Sequence, residues 1–299
     1  MSADVMEFGD VQGVMRFGYN ALTEASFLLL RIRDARAAAA WLASAPVSNA
    51  IKLDKPPQTA LQVAFTRQGL EALRVSPTVI AGFSDEFLSG MWGQENRSRR
   101  LGDVGPSAPV TWRWGGPERI PHVLVMLYAQ TGLASFTEAV KGAAWEKAFE
   151  LMESLPTSNL HGFEPFGFKD GISQPSLDWE QRRTSGDQLA YTNIACLGEF
   201  LLGYPNEYGR YTDRPLLPMD NRNTTLPEAE DTPGMRDLGR NGTYLVLRQL
   251  QQDVRGFWQF ADRQANGDQQ QRAQLASSMV VARATARLWL RLAAYRYLA

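Results

Sequence analysis

Short apolar segments mark three strands in the first half of the chain. Leu61, Val63 and Phe65 alternate with Gln, Ala and Thr, which is the two-residue period of a strand with one buried face. Two apolar runs of strand length, Ser26 to Ile32 and Val123 to Ala129, predict two more strands. We therefore expect a sheet to form from this half of the sequence.

Helix signals lie between and after these strands. Asp34 is placed to cap a helix through Ala37 to Ala43, and Ser135-x-x-Glu138 is a capping box that opens a longer helix. The longer helix has an apolar stripe at every fourth residue: Phe136, Val140, Ala144 and Ala148. The order strand, helix, strand, strand, helix favours an α+β fold, a ferredoxin-like antiparallel sheet with helices on one face.

The pattern changes after residue 155. The stretch 156–242 is rich in Gly, Pro, Asn and Asp, and long irregular stretches in compact proteins are often functional. Beyond it, Thr243 to Leu250 predicts a strand and Asp253 to Ala265 a helix, as if a second unit began like the first. We expect a first ferredoxin-like unit at 1–155, a loop-rich segment at 156–242 and the start of a second unit at 243–299.

Composition narrows the class of protein. With 299 residues, 44% of them hydrophobic and 21% charged, the chain has the composition of a globular protein, and its formal charge of −1 argues against nucleic acid or an anionic membrane as main partner. The basic cluster Arg97, Arg99 and Arg100 is interpreted as a solvated loop. Met1 to Arg16 has no leader pattern and no run is long enough to span a bilayer, so a cytoplasmic location is expected. The single cysteine, Cys196, is interpreted as a core residue.

One carboxylate stands out within the loop-rich segment. Asp170 lies in Phe166 to Pro175, a run in which Gly167 and Gly171 allow the backbone to approach a flat partner closely. Pro165 is expected to stiffen the start of this loop and to restrict Glu164. Taken alone, the motif is more typical of an ordinary turn in which Asp170 caps the backbone ahead of Gly171.

The spacing Gly167-x-x-Asp170-Gly171 resembles the haem-loop signature of the dye-decolorising peroxidases. Other segments follow in that family's order over roughly the first nine-tenths of the chain: Asp10 to Gly13, Arg16 to Tyr19, Phe87 to Met91, Leu101 to Asp103, Trp112 to Gly116, Phe200 to Gly209 and Asn241 to Arg248.

This resemblance implies a fold, a cofactor and residue roles. The family pairs two ferredoxin-like units in a dimeric α+β barrel, binds haem b, reduces hydrogen peroxide and oxidises dyes or phenolic compounds. By resemblance, Asp170 handles the protons of the peroxide, and the residues at the cofactor are Gly167, Phe168, Gly171, Ile172 and Ser173.

The resemblance leaves the iron ligand unassigned. The family's axial histidine and distal arginine follow the segment that Thr243 to Val254 resembles, and the chain has only two histidines. His161 precedes the loop on its distal side, and His122 opens a strand, so neither is named as ligand. Arg248 is expected to pair with an acid rather than to act as the distal arginine. Residues 280–299 do not resemble the family, which led us to the hypothesis of a truncated or frame-shifted gene.

Two functions therefore remain open at this stage. The first is a haem peroxidase that uses hydrogen peroxide and an aromatic reductant. The alternative is a non-catalytic remnant of the family that binds porphyrin weakly or only associates with other chains, because an unfinished sheet exposes an edge that favours oligomers. A peripheral membrane protein with a cationic tail has little further support.

Overall fold

A computed structural model describes residues 6–130, 139–157, 163–169, 175–182 and 194–281. These residues form two compact units. The first lies within Met1–Gly93, Arg113–Ser158 and Pro175–Leu245, and the second within Gln94–Trp112, Asn159–Gln174 and Val246–Ala299.

The first unit is built on a four-stranded antiparallel sheet. Its strands are β1 (Glu24–Ile32), β2 (Thr59–Phe65), β3 (Val123–Ala129) and β4 (Phe149–Pro156), in the spatial order β2-β3-β1-β4. This arrangement confirms the α+β, ferredoxin-like fold class. It also confirms the three predicted strands, whereas β4 was not predicted.

α-Helices lie between and after these strands in the chain. The described α-helices are α1 (Ala35–Ser44), α2 (Arg67–Ala72), α3 (Pro77–Ile80), α4 (Asp85–Ser89), α5 (Glu95–Leu101), α6 (Ala143–Ala148), α7 (Val254–Gln264) and α8 (Gln269–Val281). The Asp34 side chain accepts a hydrogen bond from the Ala37 amide at 2.7 Å, which confirms the predicted cap of α1.

The helix-covered face of the sheet holds the core of the first unit. Every second residue of the strands points into it and meets α1 and α6: Leu28, Leu30, Leu61, Val63, Val123, Val125, Leu127 and Phe149. Trp41 and Trp145 pack edge to face with ring centroids 5.0 Å apart. Burial of this apolar stripe is therefore what the period-two pattern of the sequence encodes.

The predicted long helix before β4 is only partly correct. Residues 131–138, including the capping box, lie outside the described residues, and residues 139–142 form a turn. Gly142 has a φ of 90°, which a helix cannot continue, so the helix begins at Ala143.

Short ladders and an ion-pair network organise the rest of the first unit. β5 (Ser176–Leu177) pairs in parallel with β6 (Ile194–Ala195), and β7 (Leu216–Pro218) pairs antiparallel with β8 (Met235–Asp237). Beside β7, the buried Arg214 guanidinium donates to Asp237 at 2.7 Å and to Asp231 at 2.6 Å. The region is otherwise irregular, as the sequence predicted.

The second unit contains α5, the segment 163–169, α7 and α8. The helix predicted from Asp253 is confirmed: α7 begins at Val254, and the Asp253 carboxylate accepts from the Gly256 amide at 2.8 Å. The strand predicted over Thr243 to Leu250 is wrong, because these residues join no ladder among the described residues. No described helix has the length and apolar character needed to cross a membrane.

Candidate functional site

The segment that leads into Asp170 is a tight hairpin. The Gly167 amide donates to the Glu164 carbonyl at 2.8 Å, and the Glu164 amide donates to the Phe168 carbonyl at 2.8 Å. Pro165 occupies the position after Glu164 where a fixed φ is favoured, and Gly167 has a φ of 94°. The arrangement is the three-residue hairpin loop that ends in a left-handed glycine.

The side chain of Glu164 reinforces this turn from inside. One carboxylate oxygen accepts from the Phe166 amide at 2.8 Å, and the other accepts from the Phe168 amide at 2.8 Å. Charge-assisted hydrogen bonds of this kind are stronger than neutral ones. A single side chain therefore holds the two backbone amides on either side of Gly167.

Aromatic rings attach the hairpin to α7. The Phe166 ring lies 4.6 Å from that of Phe257, and the Phe168 ring is nearly parallel to that of Trp258, with centroids 6.1 Å apart and planes 9° apart. The guanidinium of Arg272 lies over the same Trp258 ring, 4.7 Å from its centroid. These contacts fix the hairpin against α7.

Only part of the predicted cofactor contact set can be located. Gly167 is exposed, and a Cβ built on it meets no atom within 4 Å, so its surface is open to a flat partner. Phe168 is half-buried against α7. The remaining predicted residues lie outside the described residues: Asp170, Gly171, Ile172 and Ser173.

A second cluster in this unit contains Arg248. Its guanidinium donates to Oδ1 of the buried Asp103 and lies 5.3 Å from the centroid of the Trp112 ring. The expectation that Arg248 pairs with an acid is confirmed. Oδ2 of Asp103 is buried and has no hydrogen-bond partner among the described residues.

The described histidine is a poor iron ligand. His122 accepts the Ile32 amide at Nδ1 over 3.2 Å, and burial lowers its pKa, so the neutral ring carries its proton on Nε2 and has no free lone pair. His161 and the tail from residue 282 lie outside the described residues. Within the described ranges, no group of three His, Cys, Asp or Glu side chains is arranged to hold a metal ion.

Of the residues expected at a haem, the structure describes Gly167, whose open surface leaves room for a flat macrocycle, and Phe168, which packs on Trp258. His122, the histidine among the described residues, accepts the Ile32 amide at Nδ1 and does not offer that nitrogen to an iron.

A separate small cavity lies in the first unit, and it does not suit such a cofactor. Its volume is about 50 Å³, enough for water molecules, and its lining includes Asp178, Cys196 and Tyr204. Cys196 is buried, in agreement with the core position expected from the sequence.

Sequence reasoning missed three residues of the loop's support: Glu164, Phe257 and Trp258. Glu-Pro-x-Gly is a local turn signal that identifies the hairpin. The two α7 rings carry no comparable signal, because nothing in the sequence pairs them with a loop about ninety residues earlier.

The four-stranded sheet defines the class of the protein, an α+β protein with a ferredoxin-like fold. No protein-family model matches the sequence. Peroxidase 2 of Mycetinis scorodonius is 27% identical over 264 residues, which cover 84% of this chain and 44% of that protein. A dye-decolorizing peroxidase of Mycena epipterygia is 25% identical over 268 residues, with 86% and 44% covered.

Solved structures agree on the fold. The crystal structure of a fungal DyP-type peroxidase from Auricularia auricula-judae superimposes with a TM-score of 0.65 at 24% identity, covering 93% of this chain and 56% of that one. A dye-decolorizing peroxidase in complex with 2,6-dimethoxyphenol gives a TM-score of 0.62 at 18% identity. These findings confirm the resemblance: the chain is similar to dye-decolorising peroxidases over most of its own length, and it spans about half the length of the curated relatives it matches.

Proposed function

We propose that this chain provides the peroxide-handling loop of a dye-decolorising type of haem peroxidase. The cofactor is haem b, the oxidant is hydrogen peroxide, and the reductant is a dye or a phenolic compound. The observation that supports this proposal is the hairpin 163–169, which is fixed by Glu164 and by α7 and leads directly into Asp170.

Asp170 acts as the acid and base of the reaction. Its carboxylate removes the proton from one peroxide oxygen and delivers it to the other, which leaves as water. A bound haem would supply the electrons that break the O–O bond and would regain them from the reductant. Gly167, Phe168, Gly171, Ile172 and Ser173 belong to the same stretch of sequence and would hold the macrocycle, since glycine permits close approach of the backbone.

One observation favours the alternative, a non-catalytic porphyrin-binding or association module. His122, the one histidine among the described residues, has its Nδ1 engaged by the Ile32 amide. The two functions differ in whether this polypeptide holds iron through a histidine.

A hemin titration of the purified full chain separates them. The peroxidase proposal predicts binding of one hemin per chain with a histidine-type Soret spectrum, and peroxide-dependent dye oxidation that falls by about 10²- to 10⁴-fold in Asp170→Asn. Asp54→Asn, which changes an exposed carboxylate in the same way, should leave the rate unchanged. Absence of stoichiometric hemin binding would refute the peroxidase and leave the remnant.

A further inference from the structure

We propose that the chain carries a site of spontaneous covalent modification at Asn266, which loses its side-chain amide and becomes aspartate or isoaspartate. Asn266 precedes Gly267 in the turn between α7 and α8. Asparagine followed by glycine is especially prone to this reaction, because glycine has no side chain to hinder the attacking backbone nitrogen. The reaction needs only water, so it is independent of the proposed function.

The modification proceeds in two steps. The backbone nitrogen of Gly267, after losing its proton to solvent, attacks Cγ of Asn266, and the side-chain nitrogen leaves as ammonia. The product of this step is a five-membered cyclic imide that joins the side chain to the main chain. Water then breaks one of the two C–N bonds of the imide. Breaking one gives aspartate, and breaking the other gives isoaspartate, in which the main chain runs through the side-chain carboxyl carbon.

The chain contains a second Asn-Gly dipeptide, Asn241-Gly242, with which this site can be compared. Asn241 and Asn266 both have a left-handed backbone, with φ of 66° and 50° respectively. The reacting residues and this backbone angle are therefore alike at the two sites. The difference between them lies in their surroundings.

Asn241 is held on all sides. It is 5% exposed, and its Oδ1 accepts the Tyr204 hydroxyl at 2.7 Å. Its Nδ2 donates to Oε2 of Glu7 and to Oδ2 of Asp10, each at 2.9 Å. The attacking nitrogen of Gly242 is also occupied, because it donates to a backbone carbonyl at 3.0 Å. Deamidation of Asn241 therefore requires these hydrogen bonds to break first.

Asn266, in contrast, is open to solvent. The residue is exposed, and its side chain forms no hydrogen bond within the described part of the chain. The amide of Gly267 likewise donates no hydrogen bond to a described residue. A Cβ built on Gly267 meets no atom within 4 Å, so water reaches the nitrogen that must lose its proton. The structure thus leaves both reacting groups of this dipeptide available.

Both products change the end of α7. Aspartate at position 266 adds a negative charge at the C-terminal end of the helix, where the helix dipole disfavours it. Isoaspartate adds the same charge and also lengthens the main chain of the turn by one methylene. We expect the added charge to accelerate hydrogen exchange in the last turn of α7 by about 2- to 5-fold.

Incubation of the purified full chain at mildly alkaline pH tests the site, because base removes the proton from the attacking amide. Trypsin, used afterwards at mildly acidic pH, releases the two dipeptides in separate peptides, 241–248 and 264–272, in which mass spectrometry measures deamidation. In the folded chain, Asn266 should react at least about 100-fold faster than Asn241, whose side-chain hydrogen bonds must break first. In guanidinium chloride the two asparagines should react at similar rates.

Asn266→Gly is the matched control, since glycine is favoured at this helix end and has no amide to lose. A protein-isoaspartate methyltransferase should transfer a methyl group from S-adenosylmethionine to peptide 264–272 of the incubated wild type and not to that peptide of the variant. Hydrogen exchange in the last turn of α7 should accelerate on incubation of the wild type alone.

Two results would overturn the proposal. The first is an Asn266 that keeps its amide in the folded chain while both asparagines react in guanidinium chloride. The second is an equal rate at Asn241 and Asn266 in the folded chain, which would show that the contacts of Asn241 do not distinguish the two sites.

Discussion

Replacement of Arg248 by methionine should destabilise the second unit by about 3 kcal/mol. The Asp103 side chain is 4% exposed and forms an ion pair with a guanidinium that is itself 24% exposed. Removing one partner of a buried pair costs about 3–5 kcal/mol, and the partial exposure of Arg248 places the expected value at the lower end. Loss of the contact with Trp112 adds roughly 0.5 kcal/mol.

Arg99→Met is the matched control, because it removes the same charge from an exposed pair in the same unit. The Arg99 and Glu95 side chains are 63% and 86% exposed, and their closest N and O atoms are 3.9 Å apart. Exposed pairs of this kind contribute at most about 0.5 kcal/mol. The difference in stability between Arg248→Met and Arg99→Met therefore measures the effect of burial, since both variants remove the same charge.

Urea unfolding gives the free-energy differences, and hydrogen exchange with mass spectrometry assigns them to segments 94–112 and 246–281. A further variant removes both members of the pair, Asp103→Leu with Arg248→Met, and should regain at least half of the lost stability, since Oδ2 of Asp103 already lacks a partner. If Arg248→Met and Arg99→Met differ by less than about 1 kcal/mol, the buried-charge explanation is wrong.

Two other predictions concern the first unit. Gly69→Ala should lower the thermal midpoint, although alanine is the better helix former, because the new Cβ would lie 1.9 Å from the His122 carbonyl oxygen; an unchanged or higher midpoint would contradict the packing. Burial raises the pKa of Tyr19 to about 12, so its neutral form stabilises the fold below pH 10, and that contribution is lost as the pH rises towards 12. Burial also raises the pKa of Tyr128, Tyr204 and Tyr211, so absorbance titration at alkaline pH should show fewer tyrosines ionising near pH 10 in wild type than in urea, and Tyr19→Phe should reduce that difference by one tyrosine.

The strands that the sequence predicted carry an unbroken pattern: β1 and β3 are continuous apolar runs that are largely buried, and β2 has an uninterrupted period of two in its apolar residues. Leu61, Val63 and Phe65 face the helix-covered core, and the intervening positions face the other side. β4 escaped prediction because its register to β1 shifts between Leu29 and Leu30, which leaves Met152 as an extra residue and breaks the alternation.

The strand expected over Thr243 to Leu250 did not form, because the local sequence pattern does not determine whether a segment finds a partner strand. Apolar and β-branched residues make this segment suited to a sheet, but strand formation depends on a partner that propensity does not specify. Within the described residues its anchors are side chains instead: the Tyr244 hydroxyl donates to the Asp213 carbonyl at 2.7 Å and accepts the Ser84 amide at 2.9 Å. Tertiary contacts, rather than strand propensity, therefore determine the conformation of this segment.

In the candidate site, too, one part is encoded by neighbouring residues and the other by contacts between residues far apart in sequence. The turn is encoded locally, since Pro165 and Gly167 select its backbone and Glu164 closes it within five residues. Its anchor on α7 is encoded only by the packing of rings far apart in sequence, Phe168 with Trp258 being the nearly parallel pair. Because the two sets of contacts are independent, loss of the α7 rings should loosen the hairpin's orientation while its internal hydrogen bonds persist, whereas loss of Glu164 should do the reverse.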